Sequence, residues 1–263
     1  MKGPIKELAK KCGSENMRVI VIGDVHGCLQ ELKELLDKVK YVPSQDSLIF
    51  VGDLVDRGPF SIETLRYVRA LSENHGVVSL MGNHEIKYVK YARQLREGIA
   101  KQDKEVLISQ AKQEIFQKLS EANIQWLACR PYHFQMDNLI IVHGGICPRR
   151  HKKLDDLGKK KYTERLYRLR WIGENGIMVP GLNYYDPSKH RPWADTYDGR
   201  FGVAVYGHNT FQTVRVSPYA FGIDTGCCFG GQLTALVQES SKPISFESVQ
   251  ARAVYYPRIE LEE

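Results

Sequence analysis

The sequence predicts an α/β protein built around a parallel sheet. Three apolar runs, MRVIVI (17–22), SLIFV (47–51) and VVSLM (77–81), alternate with two amphipathic stretches, the order β-α-β-α-β. Each run stops at a glycine followed by polar residues. With 263 residues, 43% of them hydrophobic, the chain is long enough for one packed core, and a single domain over 1–263 is expected.

The run 17–22 is uninterrupted by polar residues, as in a strand buried on both faces. Residues 28–39 place Leu29, Leu32, Leu35, Leu36 and Val39 at helical spacing. After the strand 47–51, residues 61–74 predict a second helix, with Ser61 as its cap and Pro59 just outside it. The strand 77–81 completes the unit. Residues 86–130 change character: three charged, helix-like stretches interrupt the strands and predict a helical insertion or cap. Strand patterns return at YHFQM, NLIIVHGG (138–145), GVAVYGHN (202–209), YAFGIDTG (219–226), QLTALVQ (232–238) and 244–256. The last four have no helix between them, which predicts an antiparallel second sheet. Residues 149–170 carry ten Lys/Arg against three Asp/Glu and read as a solvated helix face, or as a rim attracting a polyphosphate. Residues 171–202 read as one long loop whose aromatics, Trp171, Tyr184, Tyr185, Trp193 and Tyr197, pack it or stack on a base.

The formal charge of +6 favours anionic partners. No apolar run is long enough for a membrane span, and the lysines of MKGPIKELAKKCGSEN are followed by no apolar segment, so neither a membrane protein nor a signal peptide is expected. Six scattered cysteines without a CxxC pair predict reduced thiols and a cytoplasmic location. Cys227-Cys228 reads as tight packing.

Three successive strands end in GDVHG (23–27), GDLVDRG (52–58) and GNHE (82–85), and two later ones in His143-Gly144-Gly145 and Gly207-His208-Asn209. Parallel strands with right-handed crossovers bring their C-terminal ends to one sheet edge, where ligands bind. The collected side chains Asp24, His26, Asp53, Asn83, His143 and His208 form an O/N donor set without thiolate. Such a set suits a pair of divalent cations such as Mn²⁺, Fe²⁺ or Zn²⁺. A carboxylate can bridge two metals ~3.5–4 Å apart, a pair that stabilises the attacking and leaving oxygens of a phosphoryl displacement. Metal-assisted hydrolysis of a phosphoester or phosphoanhydride is the chemistry these residues suggest. His75, His133, His151 and His190 lie outside the motifs and read as surface or core histidines.

In this order, GDVHG, GDLVDRG, GNHE, HGG and GH resemble the phosphoprotein-phosphatase branch of the calcineurin-like metallophosphoesterases, over about residues 17–238. The resemblance implies a four-layer αββα sandwich with a two-metal centre. It implies Asp24 and His26 on one metal, Asp53 as the bridge, and Asn83, His143 and His208 on the other. It implies Mn²⁺ first, with Fe, Zn or Co as alternatives, and attack by a metal-bridging hydroxide. Arg57 would bind phosphate, since a guanidinium fork suits paired oxygens. Asp56 would pair with His84, and His84 would protonate the leaving oxygen. Glu85 reads instead as the start of the next helix, where an acidic residue suits the first turn.

The segment IDTGCCFGGQLTAL (223–236) resembles one shared by the symmetrical, ApaH-like diadenosine tetraphosphatases and their bacterial PrpE-like relatives. YRLRW (167–171) resembles that group's arginine segment and gives Arg170 a phosphate contact. No SAPNYC-type segment of the eukaryotic protein phosphatases is present. The chain departs from the group at Asn209-Thr210, where relatives often have Thr-Pro or Trp. The expected activity is cleavage of diadenosine tetraphosphate to two ADP. A Ser/Thr protein phosphatase and a hydrolase of capped or triphosphorylated RNA 5′ ends are the alternatives, so the expected partner is a small nucleotide or phosphorylated substrate, with nucleic acid only as an RNA 5′ end. A non-catalytic module of the same fold is motivated only by Asn209-Thr210.

Overall fold

In the computed structural model, which describes residues 18–98, 107–179, 185–240 and 242–257, the first sheet grows outward from β1 (Arg18–Ile22). This strand pairs in parallel with β2 (Asp46–Phe50), which pairs in parallel with β3 (Val78–Ser79). The crossovers are α1 (Leu29–Lys38) and α2 (Ser61–His75), as the apolar spacing predicts. Ser61 is not the cap. Phe60 holds that position, and the Ser61 hydroxyl instead accepts from the Asp56 N–H at 2.9 Å. On its other side β1 pairs antiparallel with β11 (Gln232–Gln238), and β11 with β12 (Ser245–Gln250).

The second sheet has the order β4 (His133–Met136), β5 (Leu139–Val142), β8 (Val203–Tyr206), β10 (Ala220–Gly222), β9 (Arg215–Ser217). It is mixed rather than antiparallel: β5, β8 and β10 run parallel, and only β4 and β9 oppose their neighbours. The last two strands join the first sheet instead. The reason is visible in QLTALVQ, whose interior is buried on both faces and therefore belongs inside a covered sheet, not at an edge.

Alternation along the strands makes the layers. Val19, Val21, Ile49 and Val51 face Ile141, Val205 and Ile223 between the sheets. Ile20, Ile22, Leu48 and Phe50 face Leu32, Leu35, Leu65 and Val68 of α1 and α2. Ile140, Val142, Ala204 and Tyr206 face Leu166, Leu169 and Trp193 on the far side. The result is a four-layer αββα sandwich.

Within 86–130 the helices are α3 (Glu85–Glu97), α4 (Gln110–Gln117) and α5 (Glu121–Ala128), and the start of the expected second stretch, 103–106, lies outside the described residues. Ser120 caps α5, its hydroxyl accepting from the Asn123 N–H at 3.2 Å. Tyr88, Ala92, Ile124 and Leu127 extend the core on the α1–α2 side. The stretch 171–202 is not structureless. It holds the hairpin β6 (Trp171–Gly173) and β7 (His190–Pro192) and the short α7 (Trp193–Thr196). Trp193 is fully buried, and Trp171 stacks on Tyr185 at 4.4 Å, so these aromatics pack the segment; Tyr184 lies outside the described residues. The basic segment is two 3-10 turns, 154–156 and 160–162, and α6 (Thr163–Arg168), with most of its Lys and Arg exposed. Among the described residues no helix is long and apolar enough to cross a membrane.

Candidate active site

The loops after β1, β2, β3, β5 and β8 all open at one rim of the two sheets, and they carry every residue of the expected donor set. Asp53 is the centre. Its Oδ2 lies 3.6 Å from His26 Nε2 and 3.9 Å from His84 Nε2, and its Oδ1 lies 3.4 Å from His143 Nε2. Asp24 Oδ2 is 4.0 Å from His26 Nε2, and Asn83 Oδ1 is 3.0 Å from His143 Nε2. The His143 and His208 rings are 5.2 Å apart, and donor atoms of Asp53, His143 and His208 fall within 4.8 Å of one another. One carboxylate thus faces two sets of donors, one on each oxygen.

The backbone is bent to make this convergence. Of the seven described non-glycine residues with positive φ, five belong to the site: His26 (46°), Asp53 (50°), Asp56 (71°), Arg57 (70°) and His208 (65°). Such conformations cost free energy and persist where surrounding contacts enforce them. Glycine supplies the room. A Cβ on Gly82 would run into the Asp53 carboxylate, and one on Gly207 into the Asp24 carboxylate.

The electrostatics suit cations. Burial, then the nearby carboxylates of Asp224 and Asp53, push Asp24 well above the ordinary carboxylate value. For Asp53, burial works upward, but the imidazoles of His143 and His84 hold it well below its usual value. Burial pushes His26 and His208 well below the ordinary histidine value, so both are neutral imidazoles, the form that ligates metals. Two rings are oriented by backbone carbonyls: His26 Nδ1 donates to Val55 O at 2.8 Å and His143 Nδ1 to Val51 O at 3.1 Å. Each contact leaves Nε2 facing the centre, the arrangement that orients ligating histidines. The His208 N–H donates to the Asp24 carboxylate at 3.0 Å, linking the two sheets across the site. Converging buried carboxylates, neutral imidazoles and a glycine-cleared cradle fit a pair of divalent cations.

His84 Nδ1 donates to Asp56 Oδ2 at 2.5 Å, so the expected pair forms. Burial pushes His84 down to about 4, against the pull of Asp53. Arg57 Nη1 donates to His26 Nε2 at 2.8 Å, and its guanidinium lies 4.9 Å from the Phe229 ring centre. Arg170 Nη1 donates to Asn209 Oδ1 at 2.7 Å, and the Thr210 hydroxyl donates to Asp224 Oδ2 at 2.9 Å. Asn209-Thr210 is therefore wired into the site rather than a sign of its loss.

Three further ionisable residues lie at the site outside the expected set. Glu85 does begin α3, but it is also buried, and it accepts from the backbone N–H groups of Asp53 (2.9 Å), Leu54 (2.8 Å) and Gly82 (3.0 Å). Burial, then Asp53, pushes it up to about 8. Asp224 stands near enough to Asp24 for its charge to push that carboxyl up, and it accepts from the Thr210 hydroxyl and the Gly226 N–H. Lys112 reaches Asp56 from α4, and burial pushes it down to about 8. The histidines outside the motifs stay outside: His75 is exposed, His151 is buried with Nδ1 accepting from the Cys147 N–H at 3.1 Å, His190 Nδ1 accepts from the Asp186 N–H at 2.8 Å, and His133 is half-buried. Cys227 and Cys228 are buried; contact with Cys28, then burial, pushes the Cys227 thiol up, and burial pushes the Cys228 thiol up.

The chain is similar to known proteins along most of its length. The calcineurin-like phosphoesterase family profile matches residues 17–231. The chain is 34% identical to the bis(5′-nucleosyl)-tetraphosphatase PrpE (asymmetrical) of Halalkalibacterium halodurans, over 90% of this chain and 95% of that one. It is 30% identical to the symmetrical bis(5′-nucleosyl)-tetraphosphatase of a Janthinobacterium species, over 84% and 92%. A crystal structure provisionally named a diadenosine tetraphosphatase superposes with a TM-score of 0.71 at 26% identity, covering 89% of this chain and 94% of that one. With the motifs in order, the sandwich fold and a match across most of its length, the chain belongs to the calcineurin-like phosphoesterase family.

Proposed function

We propose that the chain hydrolyses dinucleoside polyphosphates, with diadenosine tetraphosphate as the reference substrate, at a two-metal centre. Asp24, His26 and Asp53 would hold one cation; Asp53, Asn83, His143 and His208 would hold the other. The observation that carries this reading is Asp53, whose two carboxylate oxygens face His26 and His143 on opposite sides. The similarity to tetraphosphatases along most of the chain supports the substrate class. The oxygen and nitrogen donors favour Mn²⁺, with Fe, Zn or Co as substitutes. Divalent cations at these donors would supply Lewis-acid stabilisation of phosphoryl charge and make a water acidic enough to attack.

The chain's own groups do the rest. Arg57 and Arg170 hold phosphate oxygens, each from a guanidinium that already borders the donor set. His84 presents Nε2 toward the centre while Nδ1–H is held by Asp56, so Nε2–H is placed to protonate the leaving oxygen. An anionic substrate beside the ring favours its charged form, against the burial that lowers it. The helices α3, α4 and α5 act as a cap on a single domain, since Lys112 from α4 enters the site. The five described cysteines are free, which suits a reducing cytoplasm.

The test is incubation with diadenosine tetraphosphate and Mn²⁺ or Co²⁺, with the products separated by anion exchange. Two ADP mark cleavage at the middle, the outcome that the resemblance to the symmetrical group implies; ATP and AMP mark off-centre cleavage. Failure to cleave the substrate while p-nitrophenyl phosphate is turned over contradicts the reading. Faster phosphate release from a phosphoserine peptide than nucleotide cleavage would assign the chain to the protein phosphatases instead.

A further inference from the structure

Lys112 enters the site from outside every motif. Its ammonium forms an ion pair with Asp56 Oδ2, the oxygen that also accepts from His84 Nδ1. It comes within 3.3 Å of that nitrogen and 5.5 Å of the Tyr88 ring centre. The Tyr88 hydroxyl donates to the other carboxylate oxygen, Oδ1. Donors from α3, from α4 and from the turn before α3 therefore close on one buried carboxylate. The Lys112 side chain is only 16% exposed, a burial that lysine tolerates when paired.

The helix also has apolar contacts of its own, with Ile115 and Phe116 packed against the core. Phe116, one turn further on the same face, stacks with Tyr88 at 6.5 Å and meets Tyr91 edge-on at 5.0 Å. An apolar anchor thus stands beside the ammonium, which is aimed at Asp56. That carboxylate orients the His84 ring. Rotation of the Asp56 side chain would turn Nδ1 away and take Nε2 off its line to the centre, where it now lies 3.9 Å from Asp53 Oδ2. Small misplacements of a reacting group are expensive in rate.

We propose that Lys112 is a positioning residue for the hydrolysis: it fixes the Asp56 carboxylate so that His84 points at the leaving oxygen, and it makes proton donation depend on the docking of α4. This rests on the reading of His84 as the proton donor. A lysine that bound substrate phosphate instead would act on KM, which separates the two roles.

The experiment compares Lys112→Met, Lys112→Arg, His84→Ala and the double variant His84→Ala/Lys112→Met. Phenyl phosphate, whose leaving group needs a proton, is set against p-nitrophenyl phosphate, whose leaving group does not. Lys112→Met is expected to lower kcat on phenyl phosphate about tenfold, with KM within about twofold. The double variant should be no slower than His84→Ala alone, because both changes remove one function. Lys112→Arg should restore most of the loss. In metal-free protein the downfield imidazole N–H resonance of His84 should persist in Lys112→Arg and shift or broaden in Lys112→Met. Losses that multiply in the double variant, a rise in KM at constant kcat, or an unchanged resonance would overturn the inference. If His84→Ala costs nothing on phenyl phosphate, or the unaltered enzyme turns over p-nitrophenyl phosphate alone, the donor reading fails and the inference falls with it.

Discussion

Asn83, His84 and Glu85 are consecutive, yet the structure gives each a separate task. Asn83 Oδ1 lies against His143 Nε2, His84 Nδ1 donates to Asp56, and Glu85 ties the turn after β2 to the turn after β3. A positioned acid contributes ~10²–10⁴ in rate where the leaving group is poor. His84→Ala should therefore slow phosphoserine hydrolysis far more than cleavage of diadenosine tetraphosphate, whose nucleotide leaves readily as an anion; steady-state kinetics on both substrates checks this, and equal losses would contradict the donor role. Asn83→Ala should leave the fold intact and weaken Mn²⁺ binding, read by calorimetric titration. Glu85→Ala strips several buried N–H groups of their acceptor and should cost on the order of 3 kcal/mol in urea unfolding. At this scale the motifs made the donor set legible, because each donor ends a strand and its neighbours are glycines. Glu85 and Lys112 were not legible: one looks like any helix-starting acid, and the other is one lysine of many until tertiary packing places it beside Asp56.

The strand-end loops show how backbone geometry makes the donors meet. Gly82 and Gly207 leave no side chain where Asp53 and Asp24 place their carboxylates. Gly82→Ala or Gly207→Ala should each lower bound metal and reduce kcat at least about tenfold, while far-ultraviolet circular dichroism stays native. Full metal content in either variant would show that the cradle yields more easily than its geometry suggests. The βαβαβ unit was readable because its period changes cleanly from buried strand to amphipathic helix. The second half was harder. QLTALVQ reads as a strand in any covered sheet, and only its pairing with β1 assigns it to the first one. The hairpin of β6 and β7 was hidden because strands of three residues give no periodicity.

Across the whole molecule, the site is the place where the two sheets are joined through charge. The His208 N–H from the second sheet binds the Asp24 carboxylate from the first, and Asp24, Asp53 and Asp224 converge there. Like charges gathered in a buried cluster repel until a cation offsets them. Stripping with a chelator should therefore lower Tm, and Mn²⁺ at a hundredfold excess over Kd should raise it again by about 5 °C or more. If Asp53 is shared by two cations, metal stoichiometry by elemental analysis after equilibrium dialysis against Mn²⁺ reads it directly. Two Mn²⁺ per chain are expected, with a marked loss at both positions in Asp53→Asn. One ion per chain, or an Asp53→Asn variant that still binds two, would contradict it.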